Sequence, residues 1–291
     1  YKIIFNSYWS RKRFLEGMEN RFVNSEKLLV FFQSAKKGSL DNINNKKKWI
    51  TFVGKLNKAK GYDIFGQAVE RVLKKNKEWQ VQVVGDEKRE KIFFDNKNIN
   101  LLGFLHHNKV LSLFKKTSIA VVCSRWEEPF GRTSLEAAAN GCAVIISNKG
   151  GLPETVTNAI IMKDLSVRVL ASKINYLIKN KKDRINYQKL SIKNFFLTHK
   201  YVTKLIDSYR DAKLLKINLF NIKKKFTARI LHITNFNERL DGRLFFNTGR
   251  RINNGFIRLG HSVLGFSDRD IIKYYKSYKD FSGGITLNEK L

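Results

Sequence analysis

From Trp49 onward the chain alternates apolar strand-like runs with amphipathic helical runs, and glycines close the strands. W-I-T-F-V ends in Gly54, W-Q-V-Q-V-V ends at Gly85, and the short run Ile99 to Leu102 ends at Gly103. S-I-A-V-V-C, A-V-I-I and Ala159 to Met162 are three further runs of the same kind. Apolar character that is continuous rather than alternating marks strands covered on both faces. Between them, Gly61 to Lys75 places Ile64, Phe65, Ala68, Val69, Val72 and Leu73 on one side of a helix. Asn108 to Lys116 reads as a second helix. L-E-A-A-A-N reads as a third, stopped by Gly141. This pattern predicts an α/β fold with a Rossmann-like parallel sheet and helices on both faces. Ligands of such sheets bind beyond the carboxyl ends of the strands. The loops Gly54–Lys60, Gly85–Asp86, Gly103–His107, Arg125–Gly131 and Asn148–Glu154 all fall on that edge.

Residues 1–45 do not share the alternation. Ile3 to Phe5 and Leu28 to Phe32 are short apolar runs, Ser10 to Met18 is basic and helix-like, and Asp41 to Lys48 is polar and turn-like. This segment reads as the end of an upstream domain with its linker. Residues 46–215 form the main α/β domain, with a mostly helical, basic stretch over 166–213. A basic, patternless linker follows at 216–228. At 229–291 a fresh β–α–β pattern starts with R-I-L-H-I-T and reaches H-S-V-L-G-F, a partial second Rossmann-like unit. The first residues, Y-K-I-I-F-N-S-Y-W, carry neither an initiator Met nor a signal-peptide pattern, so the chain reads as a fragment. No run of eighteen apolar residues predicts a membrane-spanning helix. Cys123 and Cys142 lie in apolar settings without metal-ligand or disulfide-framework spacing, which fits buried thiols in a reducing cytosol.

Lys and Arg outnumber Asp and Glu by 56 to 25, a formal charge of +31. One reading is compositional bias, with lysines on solvated helix faces. The other is attraction to anions such as nucleotide phosphates, anionic lipid or nucleic acid. Bias is the simpler main cause, with attraction to an anionic membrane surface as its consequence.

The segment Glu128 to Glu136, E-P-F-G-R-T-S-L-E, carries the most chemistry. It holds two glutamates with seven residues between them, around a Phe-Gly turn that opens a helix. Backbone N–H groups at such a helix start can hold a phosphate. Glu136 lies about one turn further in, within reach of hydroxyls on the same ligand. Glu127 adjoins Glu128, and the spacing to Glu136 favours Glu128 as the partner. A glutamate on an Ala-rich helix is by itself often a solvated surface group.

Three blocks occur in order: V-G-K-L-N-K-A-K-G at 53–61, E-P-F-G-R-T-S-L-E-A at 128–137 and S-N-K-G-G-L-P-E at 147–154. With them, residues 49–210 resemble the C-terminal, donor-binding domain of glycosyltransferase family 4, retaining enzymes of the GT-B fold. The resemblance implies a nucleoside-diphosphate sugar as donor, a glycan or lipid-linked acceptor, and catalysis without a metal or other cofactor. It implies a catalytic set of Glu128, facing the transferred sugar, with Lys55 and Lys60 holding the donor diphosphate. The first of these basic positions is more often Arg; lysine keeps the charge and loses bidentate geometry. Gly54, Gly85, Leu105, Phe130, Gly131, Arg132, Thr133 and Glu136 are the implied donor-binding residues. Among them Gly131 to Thr133 would offer N–H groups to phosphate, Glu136 would accept from ribose hydroxyls, and Gly85 and Leu105 would lie near the nucleobase. The tail resembles the first strands of another GT-B acceptor domain. A fragment of this kind is expected to bind donor nucleotide and to transfer sugar poorly. Cell-envelope polysaccharide assembly at the cytoplasmic face of the membrane follows by analogy.

Other features compete. His106 and His107 follow a strand but lack acidic or Cys partners at ligand spacing, so they read as loop histidines. Asp268-Arg269-Asp270 imitates the D-x-D of metal-dependent glycosyltransferases, yet it lies in the tail, where a turn or an acidic contact is the plainer reading. The lysine-rich helices after residue 166 lack aromatics at stacking spacing, so no nucleic acid is expected. Two rival functions remain: a GT-B sugar-nucleotide epimerase or phosphorylase, and a non-catalytic basic module binding nucleic acid or membrane.

Overall fold

A computed structural model describes residues 2–18, 27–218, 227–236, 248–274, 282 and 284–290. The chain divides into two compact units, Tyr1–Lys213 and Leu214–Leu291. The first unit opens with β1 (Ile3–Phe5), α1 (Tyr8–Gly17) and β2 (Leu28–Val30). The main sheet then takes β3 (Lys47–Val53), β4 (Gln80–Val84), β5 (Ile99–Leu101), β6 (Thr117–Val122), β7 (Ala143–Ser147) and β8 (Ala159–Met162). Its helices are α2 (Tyr62–Leu73), α3 (His107–Lys116), α4 (Arg132–Ala139), α5 (Val167–Lys179), α6 (Lys181–Lys193) and α7 (His199–Asn218).

The six strands run in the order β5-β4-β3-β6-β7-β8, and every neighbouring pair is parallel. The four inner strands β3, β4, β6 and β7 divide their side chains between two covered faces, whereas the edge strands leave Leu101 of β5 and Ile161 of β8 exposed. Ile50, Phe52, Val81, Val83, Ile119, Val121, Ala143 and Ile145 join one buried cluster with the apolar sides of α2 and α5. Their neighbours Val84, Ala120, Val144 and Ile146 join a second cluster with residues of α3 and α4. This two-sided burial accounts for the continuous apolar runs. Thr51 and Thr117, buried on adjacent strands, satisfy each other's hydroxyls at 2.7 Å, which offsets the cost of burying them. β3 starts at Lys47, two residues before the apolar run, where Lys47 already pairs with Thr117 of β6.

Within this unit, the described residues of the first 45 pack against the main sheet's loops and helices. β1 and β2 pair with each other in parallel, apart from the six-stranded sheet. Ser7 Oγ donates to the Pro129 carbonyl at 2.5 Å, and the Tyr8 and Trp9 N–H groups donate to the Glu154 carboxylate at 2.7 and 2.8 Å. The Phe32 ring lies 5.9 Å from that of Phe130, and the Ala35 N–H donates to the Leu197 carbonyl at 3.0 Å.

The second unit contains β9 (Arg229–Ile233), α8 (Thr248–Arg258), β10 (Ser262–Phe266), α9 (Asp268–Tyr274) and α10 (Gly284–Lys290). β9 and β10 pair in parallel with α8 between them in sequence. The His232 ring packs on Phe236 and Phe256 at 5.5 and 5.8 Å. Asp268 and Asp270 lie in the first turn of α9, where the Ser267 hydroxyl donates to Asp270 Oδ2 at 2.5 Å.

Candidate functional site

Since the six strands are parallel, their carboxyl ends share one edge, and the loops leaving β3, β4, β6 and β7 converge there. Gly54 and Gly85 let the first two loops touch. At Gly85 φ is 135°, and a Cβ there would come within 1.8 Å of the Gly54 carbonyl oxygen. No side chain fits that approach. A small cleft with a cavity volume of about 80 Å³ opens beside them, lined by Phe52, Val53, Gly54, Lys60, Val122, Ser124, Glu128, Gly131, Arg132, Thr133 and Leu152.

Lys60 reaches the cleft from a short 3-10 turn, Lys58–Lys60, that follows β3. Asn57 caps this turn, its side chain accepting from the Lys60 N–H at 3.0 Å. Arg125, in the loop after β6, ties the same turn down. It donates to the Lys58 carbonyl at 2.6 Å and to both oxygens of Asp63 at 2.6 and 2.7 Å. Burial raises the affinity of Asp63 for its proton, but the paired Arg125 N–H groups more than offset this and hold the carboxyl below its ordinary range. Across the cleft the Lys60 ammonium donates to Glu128 Oε1, and the two side chains keep 33% and 14% exposure.

Gly131 is the N-cap of α4 with φ 116°, a conformation side-chain-bearing residues avoid. A Cβ would lie 2.5 Å from Leu152 Cδ2 and 3.0 Å from Ser134 Oγ. No side chain caps α4, and the first N–H groups of any helix have no acceptor within it. Gly131, Arg132 and Thr133 present this helix start to the cleft, where it carries about half a positive charge. One turn on, Glu136 is 7% exposed in its side chain and is held from two helices. Arg132 donates to its Oε1 through Nε at 3.1 Å and Nη2 at 2.8 Å. His107, the first residue of α3, donates through Nε2 at 3.0 Å.

The structure thus brings Gly54, Lys60, Glu128, Gly131, Arg132 and Thr133 around one cleft, with Glu136 a turn behind Arg132 and Gly85 against Gly54. Lys55 is exposed in the β3 loop and does not line the cleft. Leu105 packs against the core cluster beneath α3 and α4. Phe130 does not line the cleft: its side chain is 2% exposed in a core cluster with Ala35, Leu135 and Leu197. His107 is likewise not a loop residue, because α3 starts at it and its ring turns onto Glu136. The available signal was its place, opening a helix on the ligand-binding edge after a glycine-ended strand. Among the described residues no three His, Cys, Asp or Glu side chains gather as a metal cluster.

Comparison with known proteins follows the same segment. The family model of glycosyl transferases group 1 matches residues 36–194, more than half of the 291 residues. Spore coat protein SA of Bacillus subtilis (strain 168) is 30% identical over 166 residues, covering 50% of this chain and 43% of that protein. A glycogen synthase of Mycobacterium tuberculosis (strain H37Rv) is 30% identical over 116 residues, covering 38% of this chain and 28% of that protein. The chain spans less than half the length of the curated relatives it matches. Among solved structures, Anabaena HepE in complex with UDP-glucose superposes with a TM-score of 0.60 at 18% identity, over 72% of this chain and 64% of that chain. TarM gives 0.57 at 17% identity, over 76% of this chain and 43% of that chain. At these identities the likeness shows the fold, a GT-B type α/β architecture. With the family match falling on the sheet, the helix start and the glutamate-bearing loops that build the cleft, the chain belongs to the glycosyl transferases group 1 family.

Proposed function

We propose that this chain contains the donor-binding domain of a retaining glycosyltransferase of family 4. Its donor is a nucleoside-diphosphate sugar, and its acceptor is a glycan or a lipid-linked sugar of the cell envelope. The reading rests above all on one arrangement: Lys60, Glu128 and the uncapped start of α4 face one another across a single cleft. Lys60 and the N–H groups of α4 hold the diphosphate, and Glu136 accepts from the ribose. Glu128 faces the transferred sugar, and Lys55 assists from the rim of the β3 loop. In the reaction, an acceptor hydroxyl oxygen bonds to the anomeric carbon on the face from which the phosphate departs, as the bond from that carbon to the phosphate oxygen breaks and the hydroxyl proton passes to that departing phosphate oxygen. The electron pair leaves on the nucleoside diphosphate. Positive charge fixed beforehand around the departing phosphates stabilises the transition state more than the ground state, because negative charge builds there only as the bond breaks. No metal is needed in this scheme. The net charge of +31 favours work at the cytoplasmic face of an anionic membrane, where a lipid-linked acceptor would be presented.

HepE is named in complex with UDP-glucose, which supports a sugar-nucleotide donor here as well. The test is calorimetric titration with UDP, GDP and ADP against wild type and Glu136→Ala. Selective binding of one nucleotide, weakened by the substitution, is the expected result. Absence of binding by the folded protein to all three would overturn the proposal.

A further inference from the structure

The loops that leave β3 and β4 are joined step by step. The Gly54 and Gly85 backbones meet first, and the Leu56 N–H donates to the Asp86 carbonyl at 3.4 Å. Asn57 Nδ2 then donates to Glu87 Oε2 at 3.1 Å, and the Lys58 N–H donates to Glu90 Oε2 at 2.7 Å. These last contacts grip the turn that carries Lys60. Asn57 stands at their centre, because its Oδ1 also accepts from the Lys60 N–H at 3.0 Å. A side-chain amide has one accepting and one donating end, so the two partners together fix which way Asn57 faces. Glu87 serves as an acceptor only. Arg89 donates to its Oε1 through Nε at 3.2 Å and the backbone N–H at 3.1 Å, and so holds the carboxyl down to about 2. The Glu87 side chain is 7% exposed and does not line the cleft.

We infer that Glu87 is a positioning residue for diphosphate binding: through Asn57 it locks the turn from which the Lys60 ammonium reaches the cleft. This rests on the reading of the cleft as a nucleotide-sugar site and adds to it a residue that touches no ligand. The sign of the effect separates position from charge. As a bare charge, Glu87 opposes a bound diphosphate, and its removal would tighten binding. As the anchor of Asn57, its removal lets the amide rotate and the turn shift, and binding weakens. The carbonyls of the turn stay held by the loop after β6, with Arg125 donating to Lys58 and the Arg125 and Trp126 N–H groups donating to Ala59. The weakening is therefore partial.

The experiment titrates wild type, Glu87→Ala, Asn57→Asp and the double variant Asn57→Asp/Glu87→Gln with whichever of UDP, GDP and ADP binds, and with the nucleoside of the same base. A hydrogen bond to a charged group is worth about tenfold or more in an equilibrium constant. With the loop after β6 still in place, Glu87→Ala should weaken diphosphate binding by about three- to tenfold and move the nucleoside by less than about twofold. Asn57→Asp sets two carboxylates against each other and should have the same effect. The double variant keeps the wild-type net charge and reverses the hydrogen bond. Its new amide donates to the new carboxylate while its oxygen still accepts from Arg89, and binding should return to within about twofold of wild type. If wild type binds none of the nucleotides, the donor-site reading itself falls and the inference with it. If wild type binds and Glu87→Ala leaves diphosphate binding unchanged or tightens it, the positioning role alone is wrong. The role is equally refuted if the nucleoside weakens by the same factor as the diphosphate, or if the double variant stays as weak as Asn57→Asp.

Discussion

The Lys60–Glu128 pair makes a prediction whose sign is more telling than its size. If the diphosphate binds beside Lys60, both partners of the pair act on it with opposite charge. Lys60→Met removes attraction, whereas Glu128→Gln removes repulsion and releases the ammonium from its ionic partner while keeping an amide oxygen for it to donate to. Two unit charges 4 Å apart interact by about 1 kcal/mol in water and by about 4 kcal/mol at an effective dielectric of about 20. With the ammonium 33% exposed and the carboxylate 14%, the cleft lies between those limits, and salt screening lowers the figure further. Lys60→Met should therefore weaken nucleoside diphosphate binding by about 1–2 kcal/mol, or about 5- to 30-fold in Kd. Glu128→Gln should tighten it about 3-fold or more while abolishing sugar transfer by the complete enzyme. Titration calorimetry at low and high salt reads both, with the nucleoside lacking phosphate as a control that neither substitution should move. A weakening of diphosphate binding by Glu128→Gln comparable to that of Lys60→Met would refute the charge argument. It would mean that the pair supports the loop rather than the ligand.

Two further outcomes follow from the walls of the cleft. Gly131→Ala places a methyl group 2.5 Å from Leu152 Cδ2 at φ 116°, so urea unfolding should show a loss of about 1–3 kcal/mol, together with weaker diphosphate binding. Asp63 has a folded-state affinity for protons lowered, against the opposing effect of burial, by its Arg125 partner. Its stabilising contribution should be complete above the ordinary carboxyl value of 3.8 and should disappear as pH falls through the lowered value. Asp63→Asn should flatten the acid limb of the stability curve measured by urea unfolding between pH 6 and pH 2.5; an unchanged limb would discount the pair.

Sequence pattern reveals contacts that are repeated or local, and the fold divides along that line. Continuous apolar runs betray β3, β4, β6 and β7 because each is covered by helices on both faces. Strand-ending glycines mark the ligand edge because loops there approach one another as closely as Gly54 and Gly85 do. The cleft residues Gly54, Lys60, Glu128 and Gly131 to Thr133 stand next to these marks and could be read with them. Phe130 could not, since nothing in E-P-F-G says which way the ring turns. Its burial depends on Phe32 and Leu197, both distant in sequence. His107 faces Glu136 across 29 positions, and single-chain periodicity carries no information about such a pair.

The seating of residues 1–45 has the same cause and a larger consequence. Glu154 closes the third motif block, yet its carboxylate is occupied by the first N–H groups of α1. Acceptance from two backbone N–H groups at a helix start is a strong, charge-assisted arrangement. Next to Glu128, the Pro129 carbonyl accepts from Ser7 and Ser10, and the Gly151 N–H donates to the Glu128 carbonyl at 2.7 Å. The loop that carries Glu128 is thus braced on one side by Gly151 and on the other by α1. Any movement of α1 would therefore be felt at the Glu128 backbone within a few bonds, while the Lys60 turn is held by Asn57 and, from the same loop as Glu128, by Arg125. The two sides of the cleft are joined directly, since the Arg125 and Trp126 N–H groups of the Glu128 loop donate to the Ala59 carbonyl of the Lys60 turn at 2.9 and 3.0 Å. A shift of α1 therefore reaches both partners of the Lys60–Glu128 pair, Glu128 through Pro129 and Gly151 and Lys60 through the contacts of Arg125 and Trp126 with Lys58 and Ala59.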